Sequence, residues 1–203
     1  MRAFVNSAFF ILILQTGPAN LAPSTRAYPT DLLHATFSTI VYNDQTVGTN
    51  PNMTGIPEVY TRFLHGWKVH SINYDEAKGK YYGVIFVNAE NSQLVLAHRG
   101  TTFDSWGDLL TANSALGADI YGVLEGQFVG QEDAAALLTE NAVNIAKQEN
   151  YVFSTTGHSL GEWLAVISLH HSLKKCNYNQ GKAVLFDSPG SGKTLNRLAS
   201  RIL

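Results

Sequence analysis

The chain has 203 residues, of which 45% are apolar and 15% are charged. These values are typical of one globular domain and exclude intrinsic disorder and fibrous repeats. The net charge of −2, without a block of basic residues, argues against nucleic-acid binding. A single cysteine, Cys176, excludes an internal disulfide framework and a cysteine-based metal site.

The N-terminus has the pattern of a secretory signal peptide. One positive charge, at Arg2, precedes a short apolar run from Ala8 to Leu14, and small residues follow as far as Ala27. The run is too short to cross a bilayer as a helix, so no transmembrane segment is expected here. We therefore predict a leader over residues 1–27, a single domain over residues 28–203 and a secreted protein. A buried N-terminal strand or helix is the alternative interpretation.

The next part of the sequence predicts one helix, one long loop and three strands. Thr30 can cap a helix whose apolar positions extend to Val41. Residues 43–57 are rich in Asn, Gly, Thr and Pro, which is typical of a loop. Alternating or continuously apolar segments predict strands, the last of them fully buried, at residues 67–74, 81–87 and 94–97.

The second half of the chain alternates between strands and helices. After a Gly-rich stretch, apolar periodicity predicts a helix over residues 131–150. A strand, a helix and a short buried strand are then predicted at residues 151–156, 159–175 and 183–186. The alternation from residue 94 onward is typical of an α/β fold with a mostly parallel central sheet and helices on both faces.

The second predicted strand-to-helix junction reads Gly157-His158-Ser159-Leu160-Gly161. A serine in such a turn presents its hydroxyl outward, and glycines two residues to either side leave space for the neighbouring strand and helix. The first N–H groups of the following helix can stabilise a developing oxyanion. The pattern therefore predicts that Ser159 is a nucleophile. A Gly/Ser turn between two buried elements is the structural alternative.

Two segments together resemble the class 3 (fungal-type) lipase family of α/β-hydrolases. They are the run from Leu94 to Thr101, followed by Asp108 and Leu109, and the run from Thr156 to Gly161. A weaker similarity lies at residues 185–190. The resemblance implies an α/β-hydrolase that cleaves the carboxylic esters of lipids, as a lipase or esterase, through a Ser159 acyl-enzyme. It implies no metal and no organic cofactor.

The resemblance also implies the remaining parts of the site. The backbone N–H of Leu160 would be one oxyanion donor, and Thr101 matches the residue that supplies the second. The chemistry needs such donors in any case, and a loop from a neighbouring strand end is their natural source. For Thr101 the alternative is an ordinary turn residue. Residues 100–118, or the Gly-rich stretch behind them, would hold a loop or lid over a lipid or ester substrate at a lipid–water interface.

The acid and histidine of a catalytic triad are not evident. In this fold they follow the serine, yet only His170 and His171 come after Ser159. On the same helix they would lie roughly 16–18 Å along the axis from the serine. His98 is expected to be packed and hydrogen-bonded rather than to act as the base, and Asp187 is expected to be a turn residue. The chain is therefore expected to lack the C-terminal part of the domain.

Two alternative functions are consistent with other features. Glu162 replaces a small residue of the family and would place a carboxylate near the oxyanion, which is compatible with a catalytically incomplete fragment or a lipid-binding scaffold. Gly192-Lys193-Thr194 matches the second half of a nucleotide-binding P-loop. Asp187 occupies the position of the first P-loop glycine, and only nine residues follow Thr194, which makes nucleotide binding the weaker alternative.

Overall fold

A six-stranded sheet organises the computed structural model, which describes residues 11–15, 27–77, 81–100 and 120–186. In chain order, the strands are β1 (Ile11–Gln15), β2 (Trp67–Asp75), β3 (Tyr81–Asn88), β4 (Gln93–His98), β5 (Val152–His158) and β6 (Lys182–Phe186). The helices are α1 (Asp31–Ile40), α2 (Glu58–Thr61), α3 (Ile120–Gln148) and α4 (Leu160–Lys174), with a 3-10 turn at Arg62–Leu64. None of the described helices has the length and apolarity needed to span a bilayer.

The strand order is β1-β6-β5-β4-β3-β2, and the sheet is mixed. β4, β5 and β6 are parallel neighbours, as the alternation after residue 94 predicts. The other three pairings are antiparallel. The predicted α/β class is confirmed, but parallel pairing is limited to the centre of the sheet. The four residues between β3 and β4 are one reason, because so short a connection can join only antiparallel strands.

Alternate side chains of the central strands enter two separate cores. Ile85, Leu94 and Leu96 face α3 and α4 and pack with Leu138 and Leu164. The opposite side chains of the same strands face α1; they are Val84, Phe86, Val95 and Ala97. Helices therefore cover both faces of the sheet, as predicted. The four apolar residues of β4 are completely buried, which confirms the expectation for this strand.

Helix α1 begins and packs as its sequence predicts. The hydroxyl of Thr30 accepts a hydrogen bond from the backbone N–H of Leu33 at 3.2 Å, so Thr30 is the N-cap. Phe37 stacks on Phe86 with ring centroids 4.5 Å apart and meets Trp67 edge-on at 4.7 Å. These contacts fix the helix on the sheet, so the residues that follow its C-terminus start from a defined position.

Helix α3 begins eleven residues before the predicted start at residue 131. Its first part contains Gly122, Gly126 and Gly130, which precede the predicted helix. The predicted helix is confirmed, but it starts earlier than its apolar periodicity indicates. Each glycine disfavours a helix by about 1 kcal/mol relative to alanine. Such a weak preference does not prevent a helix from continuing through the segment. The short helical turns at residues 58–64 were not predicted.

The apolar run of the predicted leader contributes strand β1. It pairs antiparallel with β6, from Ile11 opposite Phe186 to Gln15 opposite Lys182. β1 thereby covers the side of β6 that faces away from β5, while 46% of the Ile13 surface stays exposed. This arrangement corresponds to the alternative interpretation of the run as a strand. Removal of residues 1–27 as a leader stays a prediction.

Candidate active site

Ser159 lies in the turn between β5 and α4 and has φ 57° and ψ −124°. A residue other than glycine at positive φ carries strain on the order of 1–3 kcal/mol and needs support from its surroundings. The Ser159 N–H donates to the carbonyl of Phe186 at 3.3 Å, and the Glu162 N–H donates to the carbonyl of Ser159 at 3.1 Å. The half-buried serine therefore occupies the sharp strand-to-helix turn that a nucleophile elbow requires.

The two glycines of the turn are required by close backbone packing. A Cβ atom on Gly157 would overlap with the carbonyl oxygen of Gly161. A Cβ atom on Gly161 would overlap with the carbonyl oxygen of His98, at the end of β4. The first turn of α4 thus rests directly on the strand that leads to the predicted oxyanion residue Thr101. Glycine is required at both positions because neighbouring backbone atoms leave no space for a Cβ atom, and not because the backbone there needs a positive φ.

Leu160 is the first residue of α4, and its side chain is buried. The N–H groups of the first helical turn have no partner within the helix and lie at the positive end of its dipole. Thr101 lies outside the described residues. Its neighbour Gly100 is buried beside the turn, where an added Cβ atom would lie 2.6 Å from the His158 carbonyl oxygen and 3.4 Å from the Gly161 nitrogen. The structure thus brings the chain entering Thr101 into contact with the Ser159 turn.

Tyr42, directly after α1 and its C-cap, contacts both sides of this site and was not identified from the sequence. Its hydroxyl oxygen accepts a hydrogen bond from the Gly100 N–H at 3.1 Å. The same oxygen lies 3.5 Å from Nδ1 of His158. Burial raises the pKa of the phenol, so the group is neutral at pH 7. The contact with Gly100 joins residues 58 positions apart, and a tyrosine after an amphipathic helix carries no local signal of such a role.

Comparison with known proteins rests on the fold, since no family model and no curated protein matches the sequence. Lip2 lipase from Yarrowia lipolytica superposes with a TM-score of 0.51 and 19% identity, over 73% of this chain and 55% of the lipase. The chain has the fold of the fungal lipases. A deletion mutant of Rhizomucor miehei lipase, in complex with its propeptide, superposes with a TM-score of 0.51 and 15% identity, over 84% of this chain and 55% of the lipase. The chain spans about half the length of these lipases.

Within this lipase fold, His98 is held in a buried hydrogen-bond network. Its Nδ1 lies 3.0 Å from the hydroxyl of Tyr81, and its Nε2 lies 2.8 Å from the hydroxyl of Ser168. Burial lowers the pKa of the imidazole to about 3. Both nitrogens are therefore occupied and the ring is neutral. This confirms the expectation that His98 is packed and satisfied, and it argues against a role as the base for Ser159.

All seven histidines of the sequence lie in the described residues, and none of their hydrogen bonds reaches the Ser159 hydroxyl. His171 pairs with Glu140, where Nε2 lies 2.9 Å from Oε1, and His170 precedes it on α4. His34 lies under β5, bonded to the carbonyl of Thr30 and the hydroxyl of Ser154. His158 contacts Tyr42, whereas His65 and His70 belong to the β2 region. The described residues thus place Ser159 in its turn without a histidine partner.

Two further predicted features complete the site. Glu162, in the first turn of α4, is 1% exposed, so its carboxylate is buried close to the Ser159 turn. The positive end of the helix dipole favours a carboxylate in this position. Asp187 and the P-loop-like residues 192–194 lie outside the described residues. Among the residues that the structure describes, no cluster of His, Cys, Asp and Glu could hold a metal ion.

Proposed function

We propose that the chain is a serine hydrolase related to the class 3 lipases, which cleaves the carboxylic esters of lipids through an acyl-enzyme on Ser159. The observation that carries this proposal is the serine at positive φ in the β5–α4 turn of a lipase fold. The leader pattern supports secretion, and a secreted lipase would act at a lipid–water interface.

The proposed reaction uses the geometry of the turn. The Ser159 hydroxyl attacks the ester carbonyl carbon, and its proton passes through a general base to the departing alcohol. The oxygen of the tetrahedral intermediate accepts hydrogen bonds from the Leu160 N–H and from Thr101. Water then attacks the acyl-enzyme and releases the fatty acid. A turn that holds Ser159 before the substrate arrives avoids the cost of ordering it during the reaction.

A second candidate function follows from the positions of the histidines. None of the seven is hydrogen-bonded to Ser159 in the structure, so no histidine is assigned as its base. Without such a base, the chain would be a lipase-like scaffold that binds lipid but does not turn it over. This candidate shares the fold and the Ser159 turn with the first and differs in the activation of the hydroxyl.

Labelling with a fluorophosphonate distinguishes the two candidates. The wild-type chain is compared with Ser159→Ala and with Ser92→Ala, a matched control, because Ser92 is also half-buried and also has a positive φ, of 52°. A hydrolase gives labelling that Ser159→Ala abolishes and Ser92→Ala retains. A folded wild-type chain that is not labelled would favour the scaffold, and labelling that persists in Ser159→Ala would assign the reaction to another residue.

A further inference from the structure

Tyr42 lies where helix α1, the end of β4 and the Ser159 turn meet. Its hydroxyl oxygen accepts from the N–H of Gly100, the residue before Thr101, and lies next to the ring of His158, the residue before Ser159. We infer that Tyr42 is a positioning residue that fixes Gly100, which precedes the proposed oxyanion residue Thr101, relative to the Ser159 turn. The inference rests on the proposed hydrolase function and adds a residue to it.

The surroundings of Gly100 show why its position matters. The residue is buried between the Tyr42 hydroxyl, the His158 carbonyl and the backbone nitrogen of Gly161, and a Cβ atom on Gly100 would overlap with the Tyr42 oxygen. The Tyr42 phenol therefore occupies the space that a side chain at position 100 would take. Thr101 follows Gly100 in the chain, so a shift of the Gly100 backbone would disturb the proposed oxyanion site.

The hydrogen bond also satisfies a backbone donor at a point where the sheet ends. β4 pairs with β5 as far as His98 opposite Gly157, so the Gly100 N–H lies beyond the ladder. Buried backbone donors need an acceptor, and the phenol oxygen supplies one. Replacing tyrosine by phenylalanine removes this acceptor but keeps the ring. The Gly100 peptide is then free to turn towards another acceptor.

Tyr42 is itself held by a rigid element, as a positioning residue must be. It follows α1, whose Phe37 is wedged between Phe86 and Trp67, and the Tyr42 N–H donates to the carbonyl of Thr39 at 3.2 Å. Arg99, next to Gly100, lies over the ring of Tyr82 with its guanidinium carbon 4.5 Å from the centroid. Gly100 is thus held by Arg99, its neighbour in the chain, and by the hydroxyl of Tyr42.

The test compares Tyr42→Phe with Tyr82→Phe in the full chain. Tyr82 is a matched control, because its hydroxyl also accepts from a backbone N–H, that of Gln45 at 3.2 Å, but does not contact Gly100. The maximal rate constant of fluorophosphonate labelling and the half-saturating concentration are measured separately. Displacing one oxyanion donor is expected to lower the rate constant about 10- to 100-fold in Tyr42→Phe while the half-saturating concentration changes less than about twofold. Tyr82→Phe is expected to be labelled at the wild-type rate, although its melting temperature should fall about as much as that of Tyr42→Phe.

Amide exchange of Gly100, followed by NMR in the same proteins, tests the anchor independently of the labelling. Exchange should become at least about tenfold faster in Tyr42→Phe and stay unchanged in Tyr82→Phe. Equal labelling rates in Tyr42→Phe and the wild type would overturn the positioning role and leave the proposed function intact. Equal loss of rate in both variants would also overturn it, by showing a general effect on stability. If Gly100 exchange is unchanged in Tyr42→Phe, Tyr42 does not anchor Gly100, whether or not the wild type is labelled. Absence of labelling in the wild type is a separate result, and it counts against the hydrolase.

Discussion

The imidazole of His98 and the hydroxyl of Ser168, separated by 2.8 Å between Nε2 and Oγ, connect β4 to α4 behind the Ser159 turn. The second imidazole nitrogen lies 3.0 Å from the hydroxyl of Tyr81 on β3. All three side chains are fully buried. A neutral polar network thus links the strand that leads to Gly100 with the helix that follows Ser159, and it is independent of the chemistry proposed for the serine.

Replacing His98 by leucine should destabilise the fold more than a typical core substitution. Two buried hydroxyls lose their partner, and each unsatisfied group costs about 1–3 kcal/mol. We expect a loss of about 2–6 kcal/mol in the free energy of unfolding, measured with urea. Ser168→Ala alone should cost less, because it leaves one nitrogen of the ring unsatisfied. The loss of stability in the double variant should be smaller than the sum of the two single losses by at least about 0.5 kcal/mol. Strict additivity would show that the two side chains do not interact.

Two buried histidines should make the fold sensitive to acid. Burial lowers the pKa of His34 to about 4 and that of His98 to about 3, from 6.5 in the unfolded chain. Below pH 6.5 the unfolded chain binds protons that the folded chain does not, so stability falls as the pH falls towards these values. From pH 7.5 to pH 5 each histidine should cost on the order of 2 kcal/mol.

Urea unfolding at several pH values measures this effect. His34→Asn should keep a shorter side chain in the same polar surroundings and remove one of the two contributions, so the difference between pH 7.5 and pH 5 should shrink by about half. His70→Asn is the control, since His70 is exposed and its Nδ1 lies 2.7 Å from the hydroxyl of the neighbouring Ser71. An identical pH dependence in wild type and His34→Asn would show that His34 does not determine the acid sensitivity.

The local parts of this architecture could be predicted from the sequence. The cap at Thr30, the apolar runs of β3 and β4 and the glycine spacing around Ser159 each depend on neighbouring residues, and the structure has the expected elements there. The start of α3 could not be placed from the sequence, because the apolar periodicity that indicates this helix begins only at residue 131. For the run that forms β1, a strand is only the alternative to a signal peptide, because an apolar run of this length is compatible with both.

The contacts that complete the candidate site could not be predicted in the same way. The bond between Tyr42 and Gly100 and the network around His98 join residues that are far apart in the chain. They depend on the strand order, and a single sequence gives no information on which strand ends become neighbours. The elbow signals a nucleophile because its turn is built from five consecutive residues. A supporting tyrosine or a buried histidine has no comparable pattern.

Gly161→Ala should disrupt the site, because the added methyl group collides with the backbone of His98 rather than with a flexible side chain. We expect a loss of more than about 2 kcal/mol in stability and at least about a 100-fold loss in fluorophosphonate labelling, as expected for a displaced oxyanion donor. Gly55→Ala is the control. Gly55 has a φ of +79° but no atom within 4 Å of an added Cβ, so it should cost only about 1–2 kcal/mol and leave labelling unchanged. Equal effects of the two substitutions would refute the packing argument.

Processing of the predicted leader should expose one edge of the sheet. β1 comes from the apolar run of residues 1–27, and it is the neighbour of β6 on the side away from β5. In a chain that begins at residue 28, β6 loses this neighbour and its outward N–H groups exchange with solvent. We expect amide exchange in residues 183–186 to become at least about tenfold faster than in the full chain.

The control lies within the same molecule. β4 keeps β3 and β5 on its two sides, so exchange in residues 94–97 should not change when the leader is absent. Unchanged protection of β6 in the shorter chain would show that β1 does not protect this edge in solution. Faster exchange confined to β6 would instead show that loss of residues 1–27 opens a strand edge beside the Ser159 turn, since the Ser159 N–H donates to the last carbonyl of β6. Such an edge can accept a strand from another part of a longer chain or from another molecule.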